Sequence, residues 1–286
     1  MSVRSLVKYG LQPALMIGWV AAWLADPSNG MTYLACVLFL QLVLGTLEYW
    51  IPARPEWRQP WQEKTQLVIV AVLVTIFIVM VGEWYASWMA PLLNDMRASL
   101  GLDVWPHHWP MVVQLLMVFF MSEFIWYWFH RAEHRWSVVW RVSGHGAHHA
   151  FKRLNAINYG ANHPFEAFVL VLPTLLVELT FGAGTAAAGA GMLAAVQVAV
   201  VHSNLDLNSK YMDWLFTTNR AHIRHHSAVL EESNTNYGCA ALIWDRLFGT
   251  YGDSQVVEAG IGPTEPTLWQ KFLMPFKEPN DSQVAP

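Results

Sequence analysis

The sequence predicts an all-α integral membrane protein, in which a bundle of membrane helices carries a cap rich in histidine. Three observations support this fold class. Hydrophobic residues make up 54% of the 286 residues and charged residues only 13%, a balance typical of membrane proteins. Apolar segments of about 20 residues, long enough to cross a bilayer, recur along the chain. Eight of the 12 histidines lie in three short groups between residues 130 and 226, which is typical of a metal site.

The charge and cysteine content argue against several other classes of protein. The formal net charge is −4, and the lysines and arginines form no run interleaved with aromatic residues, so we expect no nucleic-acid partner. Cys36 and Cys239 are the only cysteines, too few for a thiolate zinc or iron–sulfur site. We expect both to be packing residues.

The first 110 residues predict the N-terminal membrane helices. Residues 9–25 and 31–47 are apolar runs that predict a membrane hairpin, with its turn at residues 26–30. The first run superficially resembles a secretory signal. It contains Pro13 and two tryptophans, lacks an Ala-x-Ala cleavage pattern and is followed at once by the second run, so we interpret it as a membrane helix.

One further membrane helix is expected before residue 110. Residues 48–64 are rich in proline, tryptophan and charge, and predict an interfacial loop. Residues 65–82 are 18 uncharged positions that predict a membrane-crossing helix. Residues 91–110 predict a polar connection. Its His107 and His108 are flanked by prolines, so we expect them to lie in a turn and not to bind metal.

The histidine groups begin where the next membrane helix ends. Residues 111–129 are apolar and lead without a helix breaker into His130 and His134, which share one helical face. Glu123 lies seven residues before His130 on the same face. An ionisable side chain inside an apolar segment is costly, so Glu123 is a catalytic candidate. The alternative is a structural hydrogen-bond partner.

Two near-identical triplets form the centre of the pattern. They are His145-Gly-Ala-His148-His149 and His222-Ile-Arg-His225-His226. Residues three and four apart share a helical face, so each triplet is expected to direct three imidazoles at one spot. His202 stands alone between the triplets. Nine imidazoles exceed what one metal accepts and imply two metals, and a histidine-dominated pair indicates iron that activates oxygen.

A second apolar hairpin is expected between the triplets. Residues 164–201 form two apolar arms, the second rich in glycine and alanine, as in membrane helices that pack closely. His163 directly precedes the hairpin and is a further candidate ligand. From residue 204 onward the chain is more polar, and residues 252–286 predict a soluble polar tail.

These spans bring every histidine group to one side of the membrane. Spans at residues 9–25, 31–47, 65–82 and 111–129, and in both arms of 164–201, make each group emerge on the same side. Most lysines and arginines that flank the spans lie there too, so the positive-inside rule makes that side cytoplasmic. The sequence therefore predicts one membrane-embedded domain with a cytosolic, histidine-rich dimetal cap.

Further motifs accompany the histidine groups in a fixed order. In sequence they are Glu123-Phe-Ile-Trp-Tyr-Trp-Phe-His130-Arg-Ala-Glu-His134, the first triplet, His202-Ser-Asn204, the second triplet, Asn234-Thr-Asn-Tyr-Gly238 and Trp244-Asp-Arg-Leu-Phe-Gly-Thr250. This ordered set resembles the fatty acid hydroxylase/sterol desaturase superfamily. The resemblance assigns the catalytic region to residues 111–251 of a domain that spans residues 1–286, after N-terminal membrane helices in 1–110.

The resemblance implies an O₂-dependent enzyme with two iron ions that hydroxylates a lipid, fatty acyl chain, sterol or carotenoid at an unactivated carbon. The implied ligands are His130, His134, His145, His148, His149, His202, His222, His225 and His226. Some relatives have a further histidine four residues after the position of His202, where this chain has Asp206. Asp206 or His163 is therefore expected to complete the ligand set. Glu123 stands where relatives often have aspartate.

Partners of the metal ligands and of the enzyme are also expected. Asn236, Tyr237 and Asp245 are candidates to orient imidazoles by hydrogen bonds, or they belong to a polar tail packed on the cap. No dinucleotide fingerprint, haem-attachment motif or fused cytochrome b5-like segment is visible. We therefore expect a separate electron donor, a ferredoxin or a cytochrome b5-like protein.

Other functions stay open from the residues alone. The same di-iron centre would give desaturation if it removed a second hydrogen. A bis-histidine haem protein that only transfers electrons is the alternative from another class, but it needs ligands on facing membrane helices, whereas these histidines follow helix ends. A zinc hydrolase is disfavoured because His-Glu-x-x-His is absent; Glu133 lies at the wrong position for that motif.

Overall fold

The computed structural model describes residues 2–27, 30–256 and 258–277, and its regular elements are helices. No strand occurs in these ranges, where one isolated bridge pairs Ser227 with Ala259. The predicted all-α fold class is thus confirmed. Ser28 and Asn29 of the predicted turn, and residues 278–286 of the predicted tail, lie outside the described residues.

Long α-helices come first in the chain and short ones follow. A hairpin of two longer helices lies among the short ones. In chain order they are α1 (Val3–Ala25), α2 (Gly30–Trp50), α3 (Trp61–Leu100), α4 (Met111–Arg135), α5 (Ser137–Ser143), α6 (His145–His149), α7 (Ala167–Leu170), α8 (Leu172–Phe181), α9 (Thr185–His202), α10 (Asn219–His225), α11 (Leu230–Ser233), α12 (Ile243–Phe248) and α13 (Leu268–Leu273). Short 3₁₀ helices occur at Pro55–Trp57, Asn158–Gly160, Pro164–Glu166 and Lys210–Met212.

Four helical segments among the described residues are long and apolar enough to cross a membrane. They are Trp61–Leu100, Met111–Arg135, Pro164–Phe181 and Thr185–His202. The predicted spans at residues 65–82, 111–129 and 164–201 fall within them. α2 contains a shorter apolar stretch, Leu34–Trp50, and α1 is not among the four. The chain is a membrane protein, and its clearest candidate spans begin with α3.

α3 extends further than the sequence predicts. It runs for 40 residues, about 60 Å at 1.5 Å per residue, and its last turns occupy residues 91–100 of the predicted polar connection. That part of the prediction is wrong, because the alanine, leucine and methionine residues around Pro91 favour a helix enough to accommodate it. The helix ends at Gly101, whose φ of 64° suits glycine. His107 and His108 lie in a turn, as predicted.

α9 lies in the core of the bundle, packed against α1 and α4. The glycine-rich side of α9 permits this close approach: a Cβ atom on Gly189 would lie 2.6 Å from Leu115 of α4 and 2.9 Å from the Trp23 ring of α1. Small residues at such contacts let membrane helices approach closely. The prediction that this arm is a packing surface is confirmed.

A tight turn at residues 182–184 reverses the chain between α8 and α9. Gly182 and Gly184 have φ angles of 71° and 56°, which glycine adopts readily. The Arg97 guanidinium near the end of α3 donates to the Leu179 carbonyl beside this turn at 3.1 Å. Because α9 runs back along α8, its last residue, His202, returns to the end of the bundle where α4 also ends.

Candidate metal centre

Nine histidine side chains meet where these helix ends converge. His130 and His134 occupy the last turns of α4, and His202 is the last residue of α9. The two short helices α6 and α10 contribute the histidine triplets. All nine side chains are between 0 and 6% exposed. The C-terminal ends of α4 and α9 carry a partial negative charge, which favours a cation at this point.

The nine histidines form two clusters, in each of which one nitrogen per ring lies within 4.8 Å of the others. The five-histidine cluster consists of His130, His134, His145, His149 and His225, and the four-histidine cluster consists of His148, His202, His222 and His226. Each has the number of donors that one metal ion accepts. The clusters adjoin, since the rings of His149 and His226 stack with centroids 4.3 Å apart.

Each triplet divides between the two clusters. α6 directs His145 and His149 into the five-histidine cluster and His148 into the four-histidine cluster. α10 and its C-cap residue direct His225 into the five-histidine cluster, and His222 and His226 into the four-histidine cluster. The expectation of three imidazoles at one spot is therefore wrong. Each residue of a helix is turned by about 100° from the one before it. The second and third histidines of a triplet are adjacent in sequence and therefore face different directions.

Hydrogen bonds determine which nitrogen is free in the five-histidine cluster. The Nδ1–H groups of His130, His145 and His225 donate to the Tyr237 carbonyl at 2.6 Å, to Glu166 Oε1 at 2.8 Å and to the Thr235 carbonyl at 2.9 Å. In a neutral imidazole the Nε2 atom then carries only a lone pair. Yet His130 Nε2 lies 3.0 Å from His145 Nε2 and 2.9 Å from His225 Nε2. Two lone pairs that face each other cannot form a hydrogen bond. A cation between these three Nε2 atoms would bind all of their lone pairs.

Burial keeps the histidines of the cap neutral. It lowers the pKa of His148 to about 4 and that of His225 to about 3. For the remaining cap histidines, burial and then the neighbouring imidazoles lower the pKa well below its ordinary value; these are His145, His149, His222 and His226. A neutral imidazole is the form that binds metal.

The four-histidine cluster has nitrogens without any hydrogen-bond partner in the described part of the chain. Both ring nitrogens of His202, His222 and His226 are buried in this state, as is Nδ1 of His148. Leaving one buried polar atom unsatisfied costs about 1–3 kcal/mol. A bound metal ion would take one nitrogen from each of the four rings and so account for up to four of these seven atoms. The donor sets of both clusters thus fit a metal.

Two buried glutamates lie behind the five-histidine cluster. Glu166 accepts the His145 hydrogen bond, and Glu133 Oε2 lies 3.6 Å from the same Nδ1 atom. Both are at most 2% exposed. A carboxylate that accepts from the outer nitrogen of a ligating histidine fixes its tautomer and raises its basicity. The sequence analysis did not identify either residue as a partner of a histidine. Glu133 directly precedes His134, and Glu166 lies three residues after His163.

The loop before α12 supports His130 from the other side. Asp245 accepts hydrogen bonds from the Tyr237 and Gly238 N–H groups, both at 2.7 Å, and thereby holds the Tyr237 carbonyl against His130. Asn236 instead donates to the Ala221 and Gly252 carbonyls. Asp245 and Tyr237 are therefore linked to a cluster histidine, whereas Asn236 ties the loop to α10.

Glu123 binds the same loop. Its Oε2 atom accepts from the Ala240 N–H at 3.1 Å, and its side chain is 7% exposed. This contact joins α4 to the segment that carries Tyr237. The structure thus gives Glu123 a hydrogen-bond partner in the backbone, which is the structural alternative considered from the sequence. Glu123 does not belong to either histidine cluster.

Two predicted candidates lie apart from both clusters. His163 Nδ1 accepts from the Phe165 N–H at 3.0 Å, and its Nε2–H donates to the Phe272 carbonyl at 3.1 Å, so both nitrogens are occupied. Asp206 pairs with Lys8 at 2.7 Å, and its side chain is 66% exposed. Neither belongs to the described histidine clusters.

Comparison with known proteins supplies an independent assignment. Residues 115–250 match the family model described as fatty acid hydroxylase. That stretch contains all nine clustered histidines, the two glutamates behind them and the supporting loop. The chain carries a fatty acid hydroxylase domain.

Several relatives resemble the fatty acid hydroxylase domain in sequence. The ornithine lipid hydroxylase OlsE of Rhizobium tropici is 36% identical over 157 residues, which cover 51% of this chain and 44% of the relative. The alkylglycerol monooxygenase of Danio rerio is 26% identical over 218 residues, 63% of this chain and 44% of the relative. A very-long-chain aldehyde decarbonylase of Oryza sativa subsp. japonica is 27% identical over 177 residues, 60% of this chain and 64% of the relative.

The chain therefore matches less than half the length of the first two relatives. No solved structure is significantly similar to it. The superfamily predicted from the order of the histidine motifs is confirmed.

Proposed function

We propose that this protein is a membrane monooxygenase that uses O₂ and two iron ions to hydroxylate a lipid at an unactivated carbon. The observation that carries the proposal is the pair of adjoining, buried clusters built from histidine alone. Neutral nitrogen donors suit iron and leave the bound metal cationic and electrophilic. Two of the similar proteins are by name a lipid hydroxylase and an alkylglycerol monooxygenase, which supports a lipid substrate.

Each cluster would hold one iron ion. When bound, the two ions would supply activation of O₂ and removal of a hydrogen atom from the substrate carbon. The overall reaction inserts one oxygen atom into a C–H bond and reduces the other to water, which consumes two electrons and two protons. An external donor, a ferredoxin or a cytochrome b5-like protein, supplies the electrons in this proposal.

The surrounding residues of the chain orient the ligands and keep water away from them. Glu166 and the carbonyls of Thr235 and Tyr237 fix three imidazoles with Nε2 directed inward. Trp140 is 7% exposed, and its ring centroid lies 5.2 Å from those of His134 and His145. Such an apolar wall excludes solvent and strengthens the electrostatic interactions inside.

We also propose that the metal centre faces the cytoplasm in a multi-pass arrangement. Lys8 pairs with Asp206, four residues beyond the end of α9, and Arg54 donates its backbone N–H to Asn204 beside the same end. Lys64 lies in the first turn of α3. Basic residues thus gather at the end of the bundle that holds the histidines, which the positive-inside rule associates with the cytoplasm. Labelling of introduced cysteines from either side of the membrane would test this.

The test of the reaction compares lipid extracts from cells that express the protein, the His225→Ala variant or neither. A lipid heavier by one oxygen, present only with the unaltered protein, is the expected result. A lipid lighter by two hydrogens would indicate desaturation instead. Metal analysis of protein purified after iron-replete growth accompanies the assay. Full activity with zinc alone and no iron would contradict the di-iron proposal.

A further inference from the structure

An exposed aromatic surface lies beside the metal centre. We call the side chains of Phe165, Trp269, Phe272 and Phe276 the aromatic surface; they are 38%, 65%, 42% and 63% exposed. The last three lie three and four residues apart, on or just beyond α13, and so share one face. Single exposed apolar residues are common, but a contiguous group of large ones marks a binding surface.

The opposite face of α13 fixes its orientation. Lys271 is 4% exposed; its ammonium donates to Glu265 at 2.9 Å and lies over the Phe151 ring at 3.3 Å. Met274 packs on Ala147 and Ala150, within and just after the histidine-bearing helix α6. A capping box at Thr267 defines where α13 starts. The aromatic face therefore points outward from a segment that is anchored directly on the metal centre.

The aromatic surface is continuous with two helices that are apolar enough to cross the membrane. Phe165 lies in the first turn of the segment Pro164–Phe181 and contacts Phe276, with ring centroids 5.7 Å apart. On the other side of the aromatic surface, Leu268 packs against a group of buried apolar side chains that includes Leu67, which lies in the second turn of α3. The surface thus lies at the level where both spans begin.

We propose that the aromatic surface rests in the headgroup region of the bilayer, on the side that holds the metal centre. If both adjoining segments cross the membrane, lipid surrounds their first turns, and a protein partner on this surface would have to displace it. Aromatic rings are favoured at this depth. The exposed Lys277 at the end of the surface suits the phosphates of the headgroups. This inference does not depend on the proposed reaction.

The contact would attach a metal-binding helix to the membrane surface. Phe272 accepts a hydrogen bond from His163 through its carbonyl, and the His163 ring lies directly against Gly144, where a Cβ atom would come within 2.6 Å of it. Gly144 immediately precedes His145. The bilayer, α13, His163 and α6 then form one connected unit, which holds the histidine clusters at a fixed height above the lipid.

Depth-dependent fluorescence quenching tests the proposal. In a Cys36→Ser background, where Cys239 is buried, Trp269→Cys and Phe276→Cys would each be labelled with bimane and reconstituted into phosphatidylcholine vesicles. Some vesicles would contain phosphatidylcholine brominated close to the headgroup. Val229→Cys is the matched control, because Val229 is 50% exposed at the start of α11. Iodide in the buffer quenches labels that face water.

Brominated lipid should quench the labels at positions 269 and 276 several-fold more than the label at 229, and iodide should give the reverse order. Quenching of both surface labels by iodide but not by lipid would overturn the proposal. So would protection from both quenchers, which would indicate a second copy of the chain or another protein on the surface. Two independent positions guard against a variant that fails to fold, and monodisperse protein with unchanged metal content verifies each variant.

Discussion

Replacing Glu166 by leucine should weaken metal binding by the five-histidine cluster. The His145 Nδ1–H donates to Glu166 at 2.8 Å inside the protein, and leucine would leave that group without its acceptor. An unsatisfied buried donor costs about 1–3 kcal/mol. Loss of an outer hydrogen-bond partner lowers metal affinity by about 10- to 100-fold, which is about 1.4–2.7 kcal/mol. The two magnitudes agree.

Chelator competition on purified, iron-loaded protein measures this effect. Glu166→Leu should release part of its iron at chelator concentrations about 10- to 100-fold lower than the unaltered protein. Glu166→Gln should behave nearly normally, since its amide oxygen still accepts the Nδ1–H bond. Glu178→Leu is the matched control, because Glu178 lies twelve residues further along the same hairpin, near the turn at its far end.

Two results would refute the reasoning. If Glu166→Leu held its iron as tightly as the unaltered protein, the hydrogen bond would not contribute to metal affinity. If the glutamine and leucine variants lost iron equally, the negative charge and not the accepted hydrogen bond would be the contribution. Iron retention by the double variant Glu133→Leu/Glu166→Leu would also exclude Glu133, 3.6 Å from the same nitrogen, as a substitute acceptor.

Three other outcomes are expected. His148→Ala and His225→Ala each remove one donor from a different cluster and should both abolish turnover with membrane insertion intact; substantial oxidation by either variant would remove that residue from the ligand set. Burial raises the pKa of Asp245 to about 6, so the carboxylate gains a proton as the pH falls through this value. The protonated group holds the Tyr237 backbone less firmly, and turnover should decline. The Asp245→Asn variant should turn over slowly even at neutral pH. Gly189→Leu should overpack α9 at a cost of about 1–3 kcal/mol, seen as a lower Tm in detergent; an unchanged Tm would show that the helices separate freely.

The histidines could be recognised from spacing, but the set of partners that each one meets in the other segments could not. Repeated spacings and a helix end at His130 predicted the grouped imidazoles that the structure shows, and their number led to the hypothesis of two metals. Helix geometry turns the second and third histidines of each triplet about 100° apart, but which histidines of the other segment each one meets depends on the angle at which α6 and α10 pack, between segments about 75 residues apart in the sequence. Spacing along one helix contains no information about that angle.

The supporting residues were harder to predict for two physical reasons. Glu133 and Glu166 are 33 residues apart and meet only because the Pro164–Glu166 turn folds back onto α4 and α6. The partners of His130 and His225 are backbone carbonyls, at Tyr237 and Thr235, and every residue has one. Of these supporting residues, the sequence motifs indicated Tyr237 and Asp245, whose side chain holds the Tyr237 backbone in place.

The same limit applies to the fold. Hydropathy located the apolar cores of α3, α4 and the 164–201 hairpin because burial in lipid requires them. It did not reveal that α3 continues to Leu100, because residues 83–100 are polar enough to resemble a loop while retaining good helix propensity. The length and polarity of a segment distinguish lipid-buried segments from water-exposed ones, but they do not distinguish a polar helix from a polar loop.

The division of the triplets also constrains how this sequence can change over time. In α6 and α10 a single peptide bond joins a histidine of one cluster to a histidine of the other, at positions 148–149 and 225–226. Inserting or deleting one residue between the first and second histidines of either triplet would turn the two following imidazoles by about 100° and misdirect donors of both clusters at once. Substitution can alter one ligand at a time, whereas a change in length cannot. Length variation in this lineage is therefore expected outside residues 145–149 and 222–226, in the connecting segments.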